Sequence, residues 1–328
     1  MRSFRALVAN GDGPARFQDL TDADLPDDAV TVEVSHSSLN YKDGLAVTNK
    51  GRIARSFPMI CGIDLAGVVA ESTDPAWSAG DDVVVNGWGL SETHAGGYTE
   101  RQRVKPGWLT RRPEGLSAVQ AMAIGTAGLT SMLCVLALES RGLSSADDGE
   151  VLVTGAAGGV GSVAVAILSH LGYRVTASTG RPETHDHLRA LGATSFVDRS
   201  ELAAEATKAL DKERWAAAID TVGSTTLASV LRQTRYRGTV AACGLAGGSD
   251  LPVSVMPFIL RSVALLGVDC AQCPADIRAE AWKRLASDLP VERLDAVTTV
   301  EPLSRAGELA ETILAGQTQG RVVFDTHA

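Results

Sequence analysis

Between the short apolar run Val151-Leu152-Val153 and a longer apolar segment opening at Ser162 lies Thr154-Gly155-Ala156-Ala157-Gly158-Gly159-Val160-Gly161. Glycine at that density between a strand and a helix restricts the fold more than any other feature of the chain. In the frame of the dinucleotide fingerprint it reads Ala156-x-Gly158-x-x-Gly161, with alanine at the first glycine position. Gly158 lets the backbone approach a pyrophosphate, and Gly161 lets the helix pack closely on the strand. The helix N-terminus adds unpaired N–H groups and a positive dipole end. Gly158, Gly159, Val160 and Gly161 are therefore candidate cofactor contacts. A glycine-rich turn in a sheet that binds nothing is the alternative. The surroundings weigh against it, because strand-like runs at 173–177, 195–197, 217–220, 238–241 and 264–267 follow with helical segments between them. Strands alternating with helices of this length mean βαβ units and a parallel sheet.

The end of the second strand of such a unit selects the cofactor. An NAD site places Asp or Glu there, about 20 residues after the glycines, to bond the ribose 2′-hydroxyl. Here the residues are Ser178-Thr179-Gly180-Arg181. A carboxylate would repel a 2′-phosphate, whereas two hydroxyls and a guanidinium bond it with charge assistance. The expected cofactor is NADP(H). Arg199, just after the third strand, either sits beside the same phosphate or is a solvated loop charge.

The rest of the chain bounds the setting. Hydrophobic residues are 45% and charged residues 21%, which excludes disorder as the main state. Glycine is abundant, 33 of 328 residues, without the Gly-X-Y period of collagen. The net charge of −9 disfavours nucleic acid as a partner. Five cysteines in a chain of this length do not resemble a disulfide framework and fit a reducing cytoplasm. The apolar run after Met1-Arg2-Ser3-Phe4-Arg5 is too short for a signal peptide. Residues 121–138 carry no charge, a borderline length for a membrane span, but Gly125, Thr126, Gly128, Thr130 and Ser131 interrupt them and no second such segment follows. A buried core helix, and no membrane, is the expectation. The first 120 or so residues read instead as short strands and turns, among them 30–34, 64–70 and 82–85. After Pro274 an amphipathic helix (277–289) and a last strand (321–325) are expected to return to that first domain.

A β-rich first domain, a dinucleotide domain and a returning C-terminus resemble the medium-chain dehydrogenase/reductase superfamily over essentially the whole chain. The resemblance implies an α/β protein: a GroES-like β-rich catalytic domain (1–123 and 269–328) plus a Rossmann doubly wound parallel-sheet cofactor domain (124–268). Zinc-dependent members carry Gly-His-Glu; here the matching residues are Gly62-Ile63-Asp64, and Ile binds no metal. No four-cysteine lobe is present, His94, His185 and His187 lack partners at ligand spacing, and Cys270-x-x-Cys273 is a lone pair, so no metal is expected. Ser38-Leu39-Asn40-Tyr41-Lys42-Asp43, Phe57-Pro58-Met59-Ile60, Gly87-Trp88-Gly89, the segments opening at Gly125 and Cys243, and Met256-Pro257-Phe258-Ile259-Leu260-Arg261, in this order and spacing, are similar to the acrylyl-CoA reductase group. That resemblance implies NADPH-dependent reduction of acryloyl-CoA, or a related short enoyl-CoA, to the saturated thioester by a homodimer. The alternatives are an NADPH:quinone or small-enone reductase on the same scaffold and, in a different class, a non-catalytic NADPH-binding protein.

Hydride addition to the β-carbon of an unsaturated thioester builds negative charge on the thioester oxygen and requires a proton at the α-carbon. Tyr41 is the first candidate for positioning the cofactor and for proton delivery; a tyrosine that only packs locally is the other reading. Asn40 either orients the thioester carbonyl or holds the turn. The resemblance places Leu245, Ile259 and Cys270 along the nicotinamide half of the cofactor, after successive strands. Thr126 and Thr130 either contact the nicotinamide ribose or pack. Lys42 and Asp43 are free to pair locally and are assigned no chemistry, and Arg321 either closes over the cleft or is a salt-bridged surface residue.

Overall fold

The computed structural model describes residues 3–146, 149–204 and 208–328; Met1 and Arg2, which open the segment weighed as a signal peptide, lie outside them. The chain divides into two compact units. One comprises Met1–Thr126, Cys270–Ala286 and Leu294–Ala328, and the other Ala127–Asp269 and Ser287–Arg293.

The first unit opens with β1 (Ser3–Ala9), β2 (Arg16–Thr21), β3 (Val30–Ser38), helix α1 (Tyr41–Thr48), β4 (Met59–Ile60), β5 (Asp64–Ser72), β6 (Asp82–Asn86), β7 (Arg101–Val104) and β8 (Thr110–Arg111). Helix α2 (Ala118–Glu139) follows and breaks at Gly125, whose φ of 51° and ψ of −159° lie outside the helical region. This is the uncharged stretch: 83% of its most apolar window is buried in the fold, as a core helix requires. Pairing in β1–β8 is antiparallel. Val30, Val32 and Val34 of β3 pack with Leu65, Val69, Val83, Val85 and Val104 in one core. A second core gathers Leu7, Leu39, Val47, Cys61, Tyr98 and Phe324.

The second unit holds β9 (Glu150–Val153), α3 (Gly159–His170), β10 (Arg174–Thr179), α4 (His185–Leu191), β11 (Ser195–Asp198), α5 (Arg199–Ala203), β12 (Trp215–Asp220), α6 (Ser224–Gln233), β13 (Thr234–Ala242), α7 (Met256–Arg261) and β14 (Ala264–Gly267). All pairs are parallel, in the order β11-β10-β9-β12-β13-β14. Counted from β9 this is 3-2-1-4-5-6, the Rossmann order, with the reversal between β9 and β12. Buried on both faces, β9, β10 and β12 need continuous apolar or small residues, which is how their sequences read.

The chain then returns through α8 (Ala275–Asp288), α9 (Val291–Asp295), β15 (Thr298–Pro302), α10 (Ala306–Leu314) and β16 (Arg321–Asp325). Strand β16 pairs antiparallel with β3 and parallel with β15, joining a seven-stranded sheet. Its bounds are those expected from sequence.

Candidate cofactor cradle and buried polar network

In the second unit the turn after β9 sits at the reversal of strand order. Gly158 is the N-cap of α3. A Cβ on Gly161 would lie 2.4 Å from the Gly155 carbonyl oxygen and 2.6 Å from Ala156 Cα, so no larger residue fits where helix and turn touch. Asp220, fully buried at the end of β12, pins the turn from below. It accepts from Thr154 Oγ1 at 2.7 Å and from the Gly223 N–H at 2.7 Å. Thr221 donates its hydroxyl back to the Thr154 carbonyl at 3.0 Å. Burial pushes the Asp220 carboxyl up, opposed by these bonds.

Ser178 and Thr179 end β10 beside that turn, and Gly180 and Arg181 follow it. The Arg181 N–H donates to Thr179 Oγ1 at 3.1 Å, and its Nη2 lies 3.5 Å from the Ala157 carbonyl oxygen. Arg199, exposed at the start of α5, runs across Gly180: a Cβ there would meet Arg199 Nε at 2.3 Å. The two guanidinium-bearing residues and the two hydroxyls are therefore in one place. His185 stacks on Phe196 at 4.1 Å between centroids, and burial and the Arg181 charge hold His187 below the usual imidazole range.

The other expected contacts of this unit are less gathered. Leu245 follows β13 and is 66% exposed; Ile259 is 67% exposed. Ile259 stands on α7, a short helix opened by Pro257, and not after a strand as expected. Thr130 is buried in α2. Cys270, in the first unit, follows β14 and forms no disulfide with Cys273.

The first unit carries a buried polar network that sequence reasoning missed. Asp64, fully buried at the start of β5, receives five hydrogen bonds on two oxygens. Ser38 Oγ donates at 2.5 Å, Asn40 Nδ2 at 2.9 Å, Asn86 Nδ2 at 2.6 Å, and Thr126 through its N–H at 2.9 Å and its hydroxyl at 2.6 Å. The break at Gly125 is what frees the Thr126 N–H to reach Asp64. A Cβ on Gly125 would also fall 2.9 Å from both Asp64 Oδ2 and Ser38 Oγ. The Thr126 hydroxyl is thereby held toward Asp64.

Asp43, three residues into the Asn40 turn, accepts from the N–H groups of Asn40 and Ile63, each at 2.9 Å, and from Asn40 Nδ2 at 3.1 Å. Burial, with the charge of Asp64 added, pushes it up to about 7 against these bonds. Arg321 supplies the positive charge. It is 3% exposed, and its Nε donates to the Ala123 carbonyl at 2.7 Å while Nη2 lies 3.4 Å from Asn40 Oδ1. Arg321 is thus not at the surface, and among the described residues it forms no salt bridge, a correction of the surface reading. Lys42 does not pair with Asp43; it reaches Glu92 at 2.5 Å.

Asn40 holds the turn that starts α1, its amide shared between the two carboxylates on one side and Arg321 on the other. Tyr41 is the first residue of α1 and not part of a loop. It is 53% exposed, and its hydroxyl has no partner among the described residues. A zinc ion does not fit this donor set: Ile63 offers no ligand, and among the described residues no group of three or more His, Cys, Asp or Glu could hold a metal. His94 instead bonds Asp28 at 2.7 Å.

Fold and cradle define a dinucleotide-dependent oxidoreductase, and the comparisons with known proteins agree. The alcohol dehydrogenase GroES-like domain family matches residues 26–127, and the zinc-binding dehydrogenase family matches 159–287. The acrylyl-CoA reductase AcuI of Ruegeria pomeroyi is 50% identical over 99% of this chain and 100% of its own length. The yhdH oxidoreductase of Salmonella enterica, solved in complex with NADP, is 52% identical with a TM-score of 0.95, covering 98% of this chain and 99% of that one. The Bacillus subtilis protein yhfP, solved with NAD bound, is 42% identical with a TM-score of 0.95, covering 99% and 100%. The chain belongs to the medium-chain dehydrogenase/reductase superfamily and, within it, to the acrylyl-CoA reductase group.

Proposed function

We propose that this chain is an NADPH-dependent reductase of a short 2-enoyl-CoA, acryloyl-CoA foremost, yielding propionyl-CoA. The observation that carries the reading is half-identity, end to end, with an acrylyl-CoA reductase. The cradle supports the cofactor half: a close-packed glycine turn for the pyrophosphate, and Ser178, Thr179, Gly180, Arg181 and Arg199 in place of the acid that would bond a 2′-hydroxyl. The bound NADPH supplies hydride to the β-carbon, and one proton from solvent or a side chain completes the α-carbon.

Tyr41 and Asn40 are the catalytic candidates of the first unit. Tyr41 offers an exposed, unengaged phenol as donor and as a surface for the nicotinamide. Asn40 fixes the start of α1 and so the place of Tyr41. Gly158, Gly159, Val160 and Gly161 serve the pyrophosphate, and Thr130, Leu245, Ile259 and Cys270 the nicotinamide half. Residues 1–123 with 269–328, and 124–268, are the catalytic and cofactor domains in this reading.

The protein is read as a soluble, cytoplasmic homodimer. Strand β14 ends its sheet with one edge unpaired among the described residues. Val255, Met256 and Leu260 of the preceding segment are exposed apolar residues that a second copy would cover.

Isotope transfer tests the reaction. Reduction of acryloyl-CoA with NADPH deuterated at nicotinamide C4 is expected to label C3 of propionyl-CoA, and reduction in deuterium oxide to label C2. Label absent from C3 removes hydride transfer to the β-carbon. Tyr41→Phe is expected to lower kcat/KM roughly 100-fold if the phenol delivers the proton; a loss below twofold takes Tyr41 off the list.

A further inference from the structure

Between Asp43 and Asp64 the chain has no acidic residue, yet it carries Lys50, Arg52 and Arg55, in a protein of net charge −9. An open cavity of about 400 Å³ lies here, lined by Gly11, Asn49, Lys50, Gly51, Arg52 and Phe57. Lys50 is paired with Glu311, which leaves Arg52 as the uncompensated cation of the lining among the described residues; Arg55, three residues on, is exposed as well. Phe57 is 47% exposed. Its ring lies against the backbone of Gly11, where a Cβ would fall 2.7 Å from Phe57 Cδ2. One part of the ring is thus backed by main chain, and the remainder is offered to solvent. An aromatic platform beside unpaired guanidinium groups is the chemistry that takes a base and its phosphates.

We infer that this cavity receives the 3′-phospho-ADP end of the coenzyme A thioester, with adenine against Phe57 and phosphates at Arg52 and Arg55. The inference rests on the enoyl-CoA reading above and deepens it. Helix α1 connects the two ends of the substrate: Tyr41 opens it, and Asn49 to Arg52 follow its last turn. Eight residues of helix span ~12 Å. The pantetheine arm, roughly four residue-lengths of extended chain, covers ~13 Å. A nucleotide held in this cavity therefore lets the thioester reach Tyr41. Binding energy gained so far from the reacting atoms is available to hold the alkene in place.

The test compares acryloyl-CoA with acryloyl-N-acetylcysteamine, which lacks the nucleotide, in wild type, Arg52→Glu, Arg52→Lys and Phe57→Ala. Arg52→Glu is expected to raise KM for acryloyl-CoA by ~10-fold or more. Phe57→Ala should raise it several-fold, and Arg52→Lys should retain most of the wild-type value. All three should leave kcat/KM for the truncated thioester within about twofold of wild type and KM for NADPH unchanged. An unchanged KM for acryloyl-CoA in Arg52→Glu, or equal losses with both thioesters, overturns the subsite. Wild type that reduces neither thioester overturns the enoyl-CoA reading instead. Calorimetric binding of adenosine 3′,5′-bisphosphate to the NADP+-saturated protein then decides the subsite alone: binding lost in Arg52→Glu supports it, and no binding to wild type removes it.

Discussion

The two units prepare for a ligand in opposite ways. In the Rossmann unit the cradle is mostly main chain: a glycine turn, a helix N-terminus, and few side chains beyond those that select the 2′ substituent. In the GroES-like unit the candidate site is built mainly from side chains, with Asp43, Asp64 and Arg321 buried and joined through Asn40, Ser38, Asn86 and Thr126. A main-chain cradle fails when something is added to it. A wired network fails when something is removed.

The largest effect should therefore come from a deletion in the network. Asp64→Ala leaves five donor groups without their acceptor and takes one of two nearby carboxylates from the buried Arg321 guanidinium, and a loss of about 3–5 kcal/mol is expected. Urea denaturation measures it, and a loss below about 1 kcal/mol would mean the network carries no such weight. An addition to the cradle comes next. Gly161→Val drives a side chain into the Gly155 carbonyl, and the strain of about 1–3 kcal/mol should weaken NADPH binding by roughly 10–100-fold in a fluorescence titration. Cofactor choice depends on fewer groups. Arg181→Asp should lower the ratio of NADPH to NADH activity by ~10-fold or more, and an unchanged ratio would remove Arg181 from the 2′-phosphate site.

The smallest effect is a pH slope. Asp43 is pushed from 3.8 to about 7 in the folded chain, so the folded state binds the proton more tightly than the unfolded one. Its contribution to stability is complete below about pH 4 and is lost as the pH rises through about 7. Melting temperatures of wild type and Asp43→Asn at about pH 5 and about pH 8 isolate that slope. The wild type should lose more on going to the higher pH, by on the order of a few °C. Parallel profiles would show that Asp43 keeps its charge throughout.

The same contrast decides which parts of the fold and the site are legible in the sequence. The cradle is legible because its residues are contiguous and glycine leaves a mark. The alternation of strands and helices, the helix after the turn and the bounds of β16 follow from periodicity and spacing. The network is not legible, because Ser38, Asn40, Asp64, Asn86, Thr126 and Arg321 are scattered and only β-pairing and the break in α2 gather them. In sequence Asp64 reads as the polar edge of an apolar strand, and Arg321 as either a residue over the cleft or a surface charge. Asn40 and Asp43, three apart, have the spacing of a helix cap, which fits Tyr41 as the first residue of α1. Ile259 is expected after a strand, where Pro257 opens a short helix instead.

One assay draws on both units: oxidation of NADPH by the purified protein with acryloyl-CoA, crotonyl-CoA or a benzoquinone as acceptor. The expected result is a kcat/KM for acryloyl-CoA well above that for the quinone. A quinone reduced faster than acryloyl-CoA would contradict the assignment of the acceptor, and no turnover with any of the three would leave a cofactor-binding protein without this chemistry.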